Sequence, residues 1–287
     1  MKIENPLISI CIPSFNAAAF LQDAITGWQN QTYQNIEIII QDDDSNDDTF
    51  NIAKKLILDD SRIQAYKNKK NLGIGKNWNE AYYKAKGDFI VLFNADDIVY
   101  PNFIEKCLEI FQKYPQVEFV FSAFEKRNQI LTKSLSDPNY YHQFSGLFNQ
   151  YDHRTNHRFL SWCFCLGKTK SFKVLEGPFG LFYPTQCCDA DLWITLNDRK
   201  IESYYIGESL GIYRQHDSNH SKVSFAEFES IYKDIIWRHP LFFKTHFYQD
   251  FPKKLKTLIY YIFKKIKDKK KPSLTVLRNF VVYEFLK

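Results

Sequence analysis

Strand-like and helix-like segments alternate over the first 125 residues, and this alternation constrains the fold more than any other feature of the chain. Strand-like runs occur at "LISICIPSF", "IEIII", "RIQAYKN", "DFIVLFN" and "VEFVFSAF". Between them, apolar residues recur with the period of a helix face, first at Leu21, Ala24, Ile25 and Trp28. The pattern predicts right-handed βαβ units in an α/β fold with a mostly parallel sheet flanked by helices. Gly87 is expected to end the third helix, and Pro101 to lie at the start of the fourth.

Two polar clusters directly follow predicted strands: Asp42-Asp43-Asp44 after the second and Asn94-Ala95-Asp96-Asp97 after the fourth. In a parallel α/β sheet, ligands bind beyond the carboxyl ends of the strands. Carboxylates repel phosphate, so a phosphate-bearing ligand needs a divalent cation such as Mg²⁺ or Mn²⁺, which prefers oxygen ligands. The glycine-rich phosphate loops are absent, since "NLGIGKNWN" contains only G-x-G.

Four longer segments occur in a fixed order along the chain: "ISICIPSFN", "AITGWQNQTYQNIEIIIQDDDSNDDT", "NLGIGKNWNEAYYKAKGDFIVLFNADD" and "YRQHDSNHS". They resemble the successive signatures of family 2 inverting glycosyltransferases with the GT-A fold, and the resemblance covers about Ile8 to Ser221. It implies a Rossmann-like GT-A domain over residues 1–222, with nucleotide-sugar binding in 1–125 and the acceptor side and catalytic segment in 126–222.

The same resemblance assigns residues to the nucleotide. Pro13, Ser14 and Asn16 match the loop after the first strand that lies against it, and Asp42 and Asp43 match the pair that hydrogen-bonds the base and ribose. A carboxylate suits this role because it accepts hydrogen bonds from uracil N3–H and from ribose hydroxyls. Further contacts to the nucleotide sugar are assigned to Asn71, Lys76, Asn94, Ala95 and Arg214.

The stretch "FNADDI" matches the D-x-D motif of the family, with Asp96 at the second, metal-binding aspartate. Asn94 replaces the first aspartate and adds no charge, which weakens the expected hold on Mn²⁺ or Mg²⁺. His216 matches a histidine that approaches the metal or diphosphate, and Arg214 is suited to pairing with phosphate oxygens. An ordinary packed or surface histidine is the alternative for His216.

Other acidic residues have structural interpretations. For Asp44, Asp47 and Asp48 we favour solvated turn and helix-cap roles over ligand binding. For Asp97 a turn role and a ligand role stand equal.

An inverting transfer requires a base that takes the proton from the acceptor hydroxyl. In the family this base is a carboxylate at the start of a helix, and "CCDADLWITLN" places Asp189 at that position with Asp191 two residues on. Cys188 stands where a glutamate usually precedes the base. The alternative is that both acids only favour a helix N-terminus.

The region from about Glu125 to Gln186 is rich in aromatic residues and has weak periodicity. By resemblance it faces the acceptor, where flat rings stack on sugars, although such rings more often belong to a core. "GPFGLFYP" is typical of a flexible loop before the catalytic segment.

Residues 223–287 are expected to form a helical, lysine-rich extension. Between Lys253 and Lys271 there are nine lysines against Asp268 alone. Leucines and isoleucines at helical spacing make this a basic amphipathic helix suited to an anionic membrane surface. A solvated helix packed on the main domain is the alternative. Nucleic-acid binding is not expected, because Lys253–Lys271 contains no arginine and no recognised nucleic-acid-binding motif accompanies it.

The remaining features fit a cytoplasmic protein. The chain has six cysteines in no disulfide or zinc pattern, and they are expected to be reduced and buried. The sequence shows neither a signal peptide nor a run of about 18 apolar residues.

Together these features predict an inverting, metal-dependent glycosyltransferase that moves one sugar from a nucleotide sugar, best a UDP-sugar, to a glycan acceptor. The lysine-rich segment, taken together with what the family resemblance implies, favours a lipid-linked acceptor at the cytoplasmic face of a bacterial inner membrane, as in lipopolysaccharide, capsule or related surface-glycan assembly. Two alternatives remain: a catalytically inactive sugar- or nucleotide-binding relative, and a metal-dependent nucleotidyltransferase, for which a basic glycine-rich loop would be expected.

Overall fold

The structure is a computed structural model that describes residues 4–131, 145–148, 161–182, 188–199 and 201–217. All of these belong to the first of two compact units, Met1–Ser221, and the second, Lys222–Lys287, lies outside the described residues. The predicted helix at Lys253–Lys271 and most aromatic residues of the middle region also lie outside them, so both interpretations stay predictions.

Strands and helices alternate through the first part of the chain as predicted. The elements are β1 (Ile8–Ser14), α1 (Leu21–Gln29), β2 (Ile36–Asp42), α2 (Thr49–Asp59), β3 (Ile63–Lys67), α3 (Ile74–Tyr82), β4 (Phe89–Leu92), β5 (Ile98–Val99), α4 (Phe103–Lys113) and β6 (Phe119–Asn128). They continue with β7 (Gly146–Phe148), a 3-10 turn (Trp162–Phe164), β8 (Cys165–Lys168), α5 (Thr169–Leu175), α6 (Cys188–Asp198) and β9 (Ser203–Gln215).

Within the described residues the strands form one nine-stranded sheet in the order β3-β2-β1-β4-β8-β6-β9-β5, with β7 paired to β9. The pairings β1–β2, β1–β4, β2–β3 and β6–β9 are parallel, and those made by β5, β7 and β8 are antiparallel. Six of the nine strands therefore run in one direction. The predicted α/β fold with a mostly parallel sheet flanked by helices is confirmed.

Two apolar clusters cover the two faces of the sheet. Along β1, Ile8, Ile10 and Ile12 point to the cluster shared with α1, α2 and α4, whereas Cys11 points to the cluster shared with α3, α5 and α6. This alternation follows from the two-residue period of a strand. The predicted face of α1 is buried, and its Trp28 packs edge-on against rings from the neighbouring strand and helix.

The predicted positions of two helix ends were wrong. α3 ends at Tyr82, five residues before Gly87. Gly87 is instead needed because a Cβ atom there would lie 2.7 Å from the Leu7 carbonyl oxygen and the Ser9 nitrogen. α4 begins at Phe103, after Pro101, whose carbonyl oxygen accepts a hydrogen bond from the Thr32 N–H.

The described cysteines behave as small apolar residues. Cys11, Cys107, Cys163, Cys165 and Cys188 are all buried, and none of them is recorded in a disulfide. Burial raises the pKa values of the first four thiols, which keeps them protonated.

Candidate functional site

The two polar clusters come together beyond one edge of the sheet. Ser14, the last residue of β1, pairs with Asp42, the last residue of β2. On the other side of β1, β4 ends at Leu92, two residues before Asn94. Because β1, β2 and β4 are parallel neighbours, their carboxyl ends line one crevice of the kind in which α/β proteins bind ligands.

Asp42 and Asp43 are buried, and both carboxylates bond to their own chain. Asp42 accepts hydrogen bonds from the N–H and hydroxyl of Ser45, at 3.0 and 2.5 Å. Asp43 accepts from the N–H groups of Leu72 and Gly73, at 2.8 and 3.0 Å, and from the side chain of Asn68 at 2.8 Å. The pair thus fixes two loops, the Asp42–Ser45 turn and the segment between β3 and α3.

Asn16 joins the loop after β1 to the loop after β2. Its N–H donates to the Ser45 hydroxyl and its side-chain oxygen accepts from the Asn46 N–H, both at 2.9 Å. Asn16 has a φ of 49°, a left-handed conformation that asparagine tolerates better than most residues. The predicted residues Pro13, Ser14 and Asn16 therefore lie beside Asp42 at one crevice.

The other acids of the first cluster have turn roles. Asp44 has a φ of 61° and pairs with Lys67 at 3.1 Å. Burial raises the pKa of Asp47, but hydrogen bonds from Thr49 and from the Ala18 N–H outweigh it, so the pKa is lowered. These contacts support the structural interpretation of both residues.

Asn77 links three parts of the crevice, and the sequence analysis missed it. Its side-chain N–H₂ donates to the carbonyl oxygens of Gln41 and Ser14, at 3.1 and 3.4 Å, and its oxygen accepts from Asn68 at 2.9 Å. A signal was present, because Asn77 lies four residues before Ala81 on the apolar face of α3. A polar residue on such a face indicates buried hydrogen bonding.

Two predicted contacts lie at the start of α3. Asn71 accepts a hydrogen bond from the Gly73 N–H at 3.0 Å, and Gly73 precedes the helix with a φ of 83°. Lys76 is exposed in the first turn. Both residues are on the surface beside the loop that Asp43 holds.

The second cluster brings together two residues that are 120 positions apart in the chain. Nε2 of His216 lies 2.9 Å from Oδ2 of Asp96. His216 directly follows β9, whereas Asp96 belongs to the loop between β4 and β5. β5 pairs with β9 at Ile98 and Val99, and this pairing brings the two loops together. The two residues proposed to bind metal are therefore neighbours.

Asp97 and Asn94 stabilise this loop by hydrogen bonds. Asp97 is fully buried and accepts hydrogen bonds from the Arg214 N–H and the Asn94 side chain, both at 3.0 Å. Burial and the nearby charge of Asp96 raise the pKa of Asp97. An amide at position 94 donates to Asp97, whereas an aspartate would add a third acid. This is a physical reason for the departure from D-x-D at Asn94, and the neighbouring Ala95 is buried.

The side chain of Arg214 faces α1. Its guanidinium pairs with Asp23 at 2.9 Å and lies 5.1 Å from the centre of the Phe20 ring. Only 4% of the Arg214 side chain is exposed. In this structure the residue predicted to meet phosphate is therefore packed on the first turn of a helix.

The predicted base lies in the first turn of α6, together with Asp191. Asp189 is exposed, and Asp191 is buried. The carbonyl oxygen of Asp189 accepts a hydrogen bond from the Trp162 indole at 3.3 Å. Cys163, which follows Trp162 in the chain, interacts with the Asn94 backbone. The 3-10 turn therefore ties the start of α6 to the loop that carries Asp96.

The side chains at the second cluster fit a divalent cation. Among the described residues, no three acids, histidines or cysteines form a metal cluster, and the protein offers the pair Asp96 and His216. Mg²⁺ and similar ions are commonly held by one or two protein ligands, with phosphate oxygens and water completing the shell. Two such side chains beside the crevice at the ends of β1, β2 and β4 are compatible with an ion of this kind.

Comparison with known proteins agrees with this geometry. The family model for Glycosyl transferase family 2 matches residues 9–175, which is more than half of the chain. The chain belongs to glycosyl transferase family 2. An uncharacterized glycosyltransferase of Haemophilus influenzae is 38% identical over 106 residues, 37% of this chain and 42% of that protein. A GalNAc(5)-diNAcBac-PP-undecaprenol beta-1,3-glucosyltransferase of Campylobacter jejuni is 27% identical over 225 residues, 73% of this chain and 65% of that protein.

Solved structures of glycosyltransferases share the fold of this family 2 chain. Residues 1–349 of Staphylococcus aureus TarS in complex with UDP-GlcNAc superpose with a TM-score of 0.66 at 14% identity, covering 79% of this chain and 65% of that TarS chain. A mannosyltransferase of Pyrobaculum calidifontis in complex with GDP-Man and Mn²⁺ superposes with a TM-score of 0.56 at 12% identity, covering 76% of this chain and 59% of that chain. The GT-A prediction is confirmed. The chain spans less than two thirds of the two curated relatives named above.

The described part of the chain contains no helix that is both long enough and apolar enough to cross a membrane.

Proposed function

We propose that the protein is an inverting glycosyltransferase that moves one sugar from a nucleotide sugar, best a UDP-sugar, to a glycan acceptor. The contact of Asp96 with His216 carries the proposal, because a carboxylate and an imidazole, both of which can bind a divalent cation, meet beside the crevice at the ends of β1 and β2. The TarS complex with UDP-GlcNAc supports a UDP-sugar, and the Mn²⁺ in the mannosyltransferase structure supports a metal.

In this proposal Asp96 and His216 would hold Mn²⁺ or Mg²⁺, and the bound ion would neutralise charge on the leaving diphosphate. Asp42, Asp43 and the loops that they fix receive the nucleoside. Asp189 takes the proton from the acceptor hydroxyl. At the same time the hydroxyl oxygen attacks the anomeric carbon from the side opposite the diphosphate. The bond from the anomeric carbon to the diphosphate oxygen then breaks, and the nucleoside diphosphate leaves with that electron pair. Attack from the opposite side inverts the anomeric centre.

The acceptor that we propose is a lipid-linked glycan of a bacterial surface polysaccharide. The Campylobacter jejuni relative is named as a glucosyltransferase of GalNAc(5)-diNAcBac-PP-undecaprenol, which supports this class. The lysines of Lys253–Lys271 would hold the protein at the cytoplasmic face of the inner membrane, each contributing about 1 kcal/mol near anionic lipid.

The first test is binding and hydrolysis of nucleotide sugars. A thermal-shift screen of UDP, GDP, CDP and dTDP with and without Mn²⁺ selects the nucleotide, since a ligand at about 100 times Kd stabilises the folded state by about 2.7 kcal/mol. Slow hydrolysis of the matching nucleotide sugar is then measured in wild type and in Asp189→Asn. We expect the variant to lose roughly 10² to 10⁴ in rate, the usual contribution of a positioned base, with nucleotide binding unchanged.

Glu105→Gln is the matched control, because Glu105 is also an exposed acid in the first turn of a helix, α4. A loss of hydrolysis in Asp191→Asn with full activity in Asp189→Asn would move the base to Asp191. If folded wild-type protein binds none of the nucleotides, the inactive relative is the better interpretation.

A further inference from the structure

The segment at the start of α1 packs against the end of β9, where His216 lies. The Phe20 ring stacks on the His216 imidazole, with centroids 4.3 Å apart and planes inclined by 27°. Only 8% of Phe20 and 5% of the His216 side chain are exposed. The imidazole therefore lies between an aromatic ring and the Asp96 carboxylate, which is 2.9 Å from its Nε2 atom.

The same segment also holds Arg214. Arg214 and His216 are two residues apart at the end of an extended strand, so their side chains point to the same side. Asp23, in the first turn of α1, pairs with the Arg214 guanidinium, which also lies over the Phe20 ring. The Arg214 N–H donates to Asp97, which anchors this end of β9 to the loop that carries Asp96. The end of the strand is thus attached both to the metal loop and to α1.

This arrangement restricts how the imidazole can rotate. A histidine binds a metal through a lone pair in the plane of its ring, so the direction of the ring plane decides whether the nitrogen points at the ion. Stacking on Phe20 fixes that plane, because rotation about the side-chain bonds would break the ring contact. Nothing in the proposed chemistry requires Phe20 to touch the nucleotide sugar.

We propose that Phe20 is a positioning residue for His216, holding its imidazole towards the metal beside Asp96. The inference rests on the proposed metal-dependent function. It assigns a role to the residue directly before α1, which none of the family signatures quoted above includes.

The test is a double-mutant cycle on Mn²⁺ affinity, measured by electron paramagnetic resonance of free Mn²⁺ in the presence of saturating UDP. Removal of an aromatic pair is expected to weaken binding roughly three- to tenfold in Phe20→Leu. His216→Ala is expected to weaken it at least as much. The double variant should match His216→Ala alone, because Phe20 acts through His216.

Phe111→Leu is the control for a general loss of stability, since Phe111 is a buried ring of α4 that packs on Phe89. It should lower the melting temperature and leave the Kd for Mn²⁺ unchanged. The His216 ring-proton resonance gives a readout without metal: in wild type it should be displaced by the Phe20 ring current, and Phe20→Leu should remove the displacement.

Equal Mn²⁺ affinity in wild type and Phe20→Leu, or additive effects in the double variant, would overturn the inference and leave the proposed function standing. If wild-type protein with UDP binds no Mn²⁺, both the inference and the metal dependence fail.

Discussion

The carboxylate of Asp43 accepts three hydrogen bonds from the segment between β3 and α3. A carboxylate has two oxygens and about four lone-pair positions, so these bonds leave capacity for a ligand. The residue orders the Asn68–Gly73 loop in the ligand-free protein. In the proposed function it has a second role, because its remaining acceptor position would receive the nucleoside. A loop that is ordered in advance lowers the entropic cost of binding.

Asp43→Asn separates these two roles. The amide places an N–H₂ group against donors that the carboxylate satisfied, so we expect the ligand-free protein to lose about 1 to 3 kcal/mol in the free energy of unfolding. Urea unfolding without nucleotide measures this. Asp44→Asn is the control, because it makes the same chemical change at the next, more exposed position, where asparagine tolerates the φ of 61°. Its free energy of unfolding should stay within about 0.5 kcal/mol of the wild-type value. Equal stability of wild type and Asp43→Asn would restrict Asp43 to ligand contact.

At this scale the sequence places the acids correctly at the strand ends but does not identify their partners. A run of aspartates after "IEIII" is visible in the sequence, whereas the bonds from Asp43 to Leu72 and Gly73 depend on where a loop about 30 residues later folds back. The stacking of Phe20 on His216 is hidden for the same reason.

Among the elements, α3 connects the crevice at the ends of β1 and β2 to the segment before α6. The buried side chain of Asn79 donates to the carbonyl oxygens of Phe179 and Phe182 and accepts from the Phe182 N–H, each at 2.8 Å. Gly180 has a φ of 94°, and a Cβ atom there would lie 2.5 Å from the Tyr83 hydroxyl. The segment "GPFGLF", which by its glycines is typical of a flexible loop, is thus fastened to α3 by at least three hydrogen bonds.

Asn79→Ala removes these bonds without charging the site. We expect a loss of about 1 to 3 kcal/mol in the free energy of unfolding, and faster amide hydrogen exchange at Phe182. Glu80→Ala, the neighbouring exposed position on α3, should change neither by much. Exchange at Phe182 that is as slow in Asn79→Ala as in wild type would contradict the role of Asn79 as the fastening residue.

Long amphipathic elements are predictable because their period is repeated over several turns, as the buried face of α1 demonstrates. Short elements are not: β8 spans four residues, and β5 only two. Their pairing depends on neighbours far away in the chain, and β5 is nevertheless the strand that brings Asp96 to His216.

In the whole molecule, acid stability depends in part on Asp60, which joins the end of α2 to β3 and to α1. Asp60 pairs with Arg62 at 2.7 Å, and Arg62 also donates to the Gln29 carbonyl oxygen at the end of α1. Hydrogen bonds from Arg62 lower the pKa of Asp60 to about 2, although partial burial opposes them. A lowered folded-state pKa adds stability above the unfolded value of about 4, which is lost as the pH falls towards 2.

Asp60→Asn should therefore be less stable than wild type by about 1 to 2 kcal/mol at pH 7, after allowance for solvent screening of a partly exposed pair. The difference should shrink as the pH falls from about 5 to 2.5, because Asp60 of the unfolded wild-type chain, with a pKa of about 4, takes up a proton there while folded Asp60 is still largely ionised. Urea unfolding at several pH values measures it, with exposed Asp59→Asn as the control. A difference that stays constant over this range would exclude a lowered pKa at Asp60 as its cause.

The strand order has one more consequence. β8 lies between β4 and β6, although it follows both in the chain. Residues 89–128 are synthesised before residue 168. During synthesis β4 and β6 therefore each have one edge that is not yet paired with β8. Open strand edges pair readily with other chains. The stage at which this sheet is most exposed to aggregation is therefore its own synthesis.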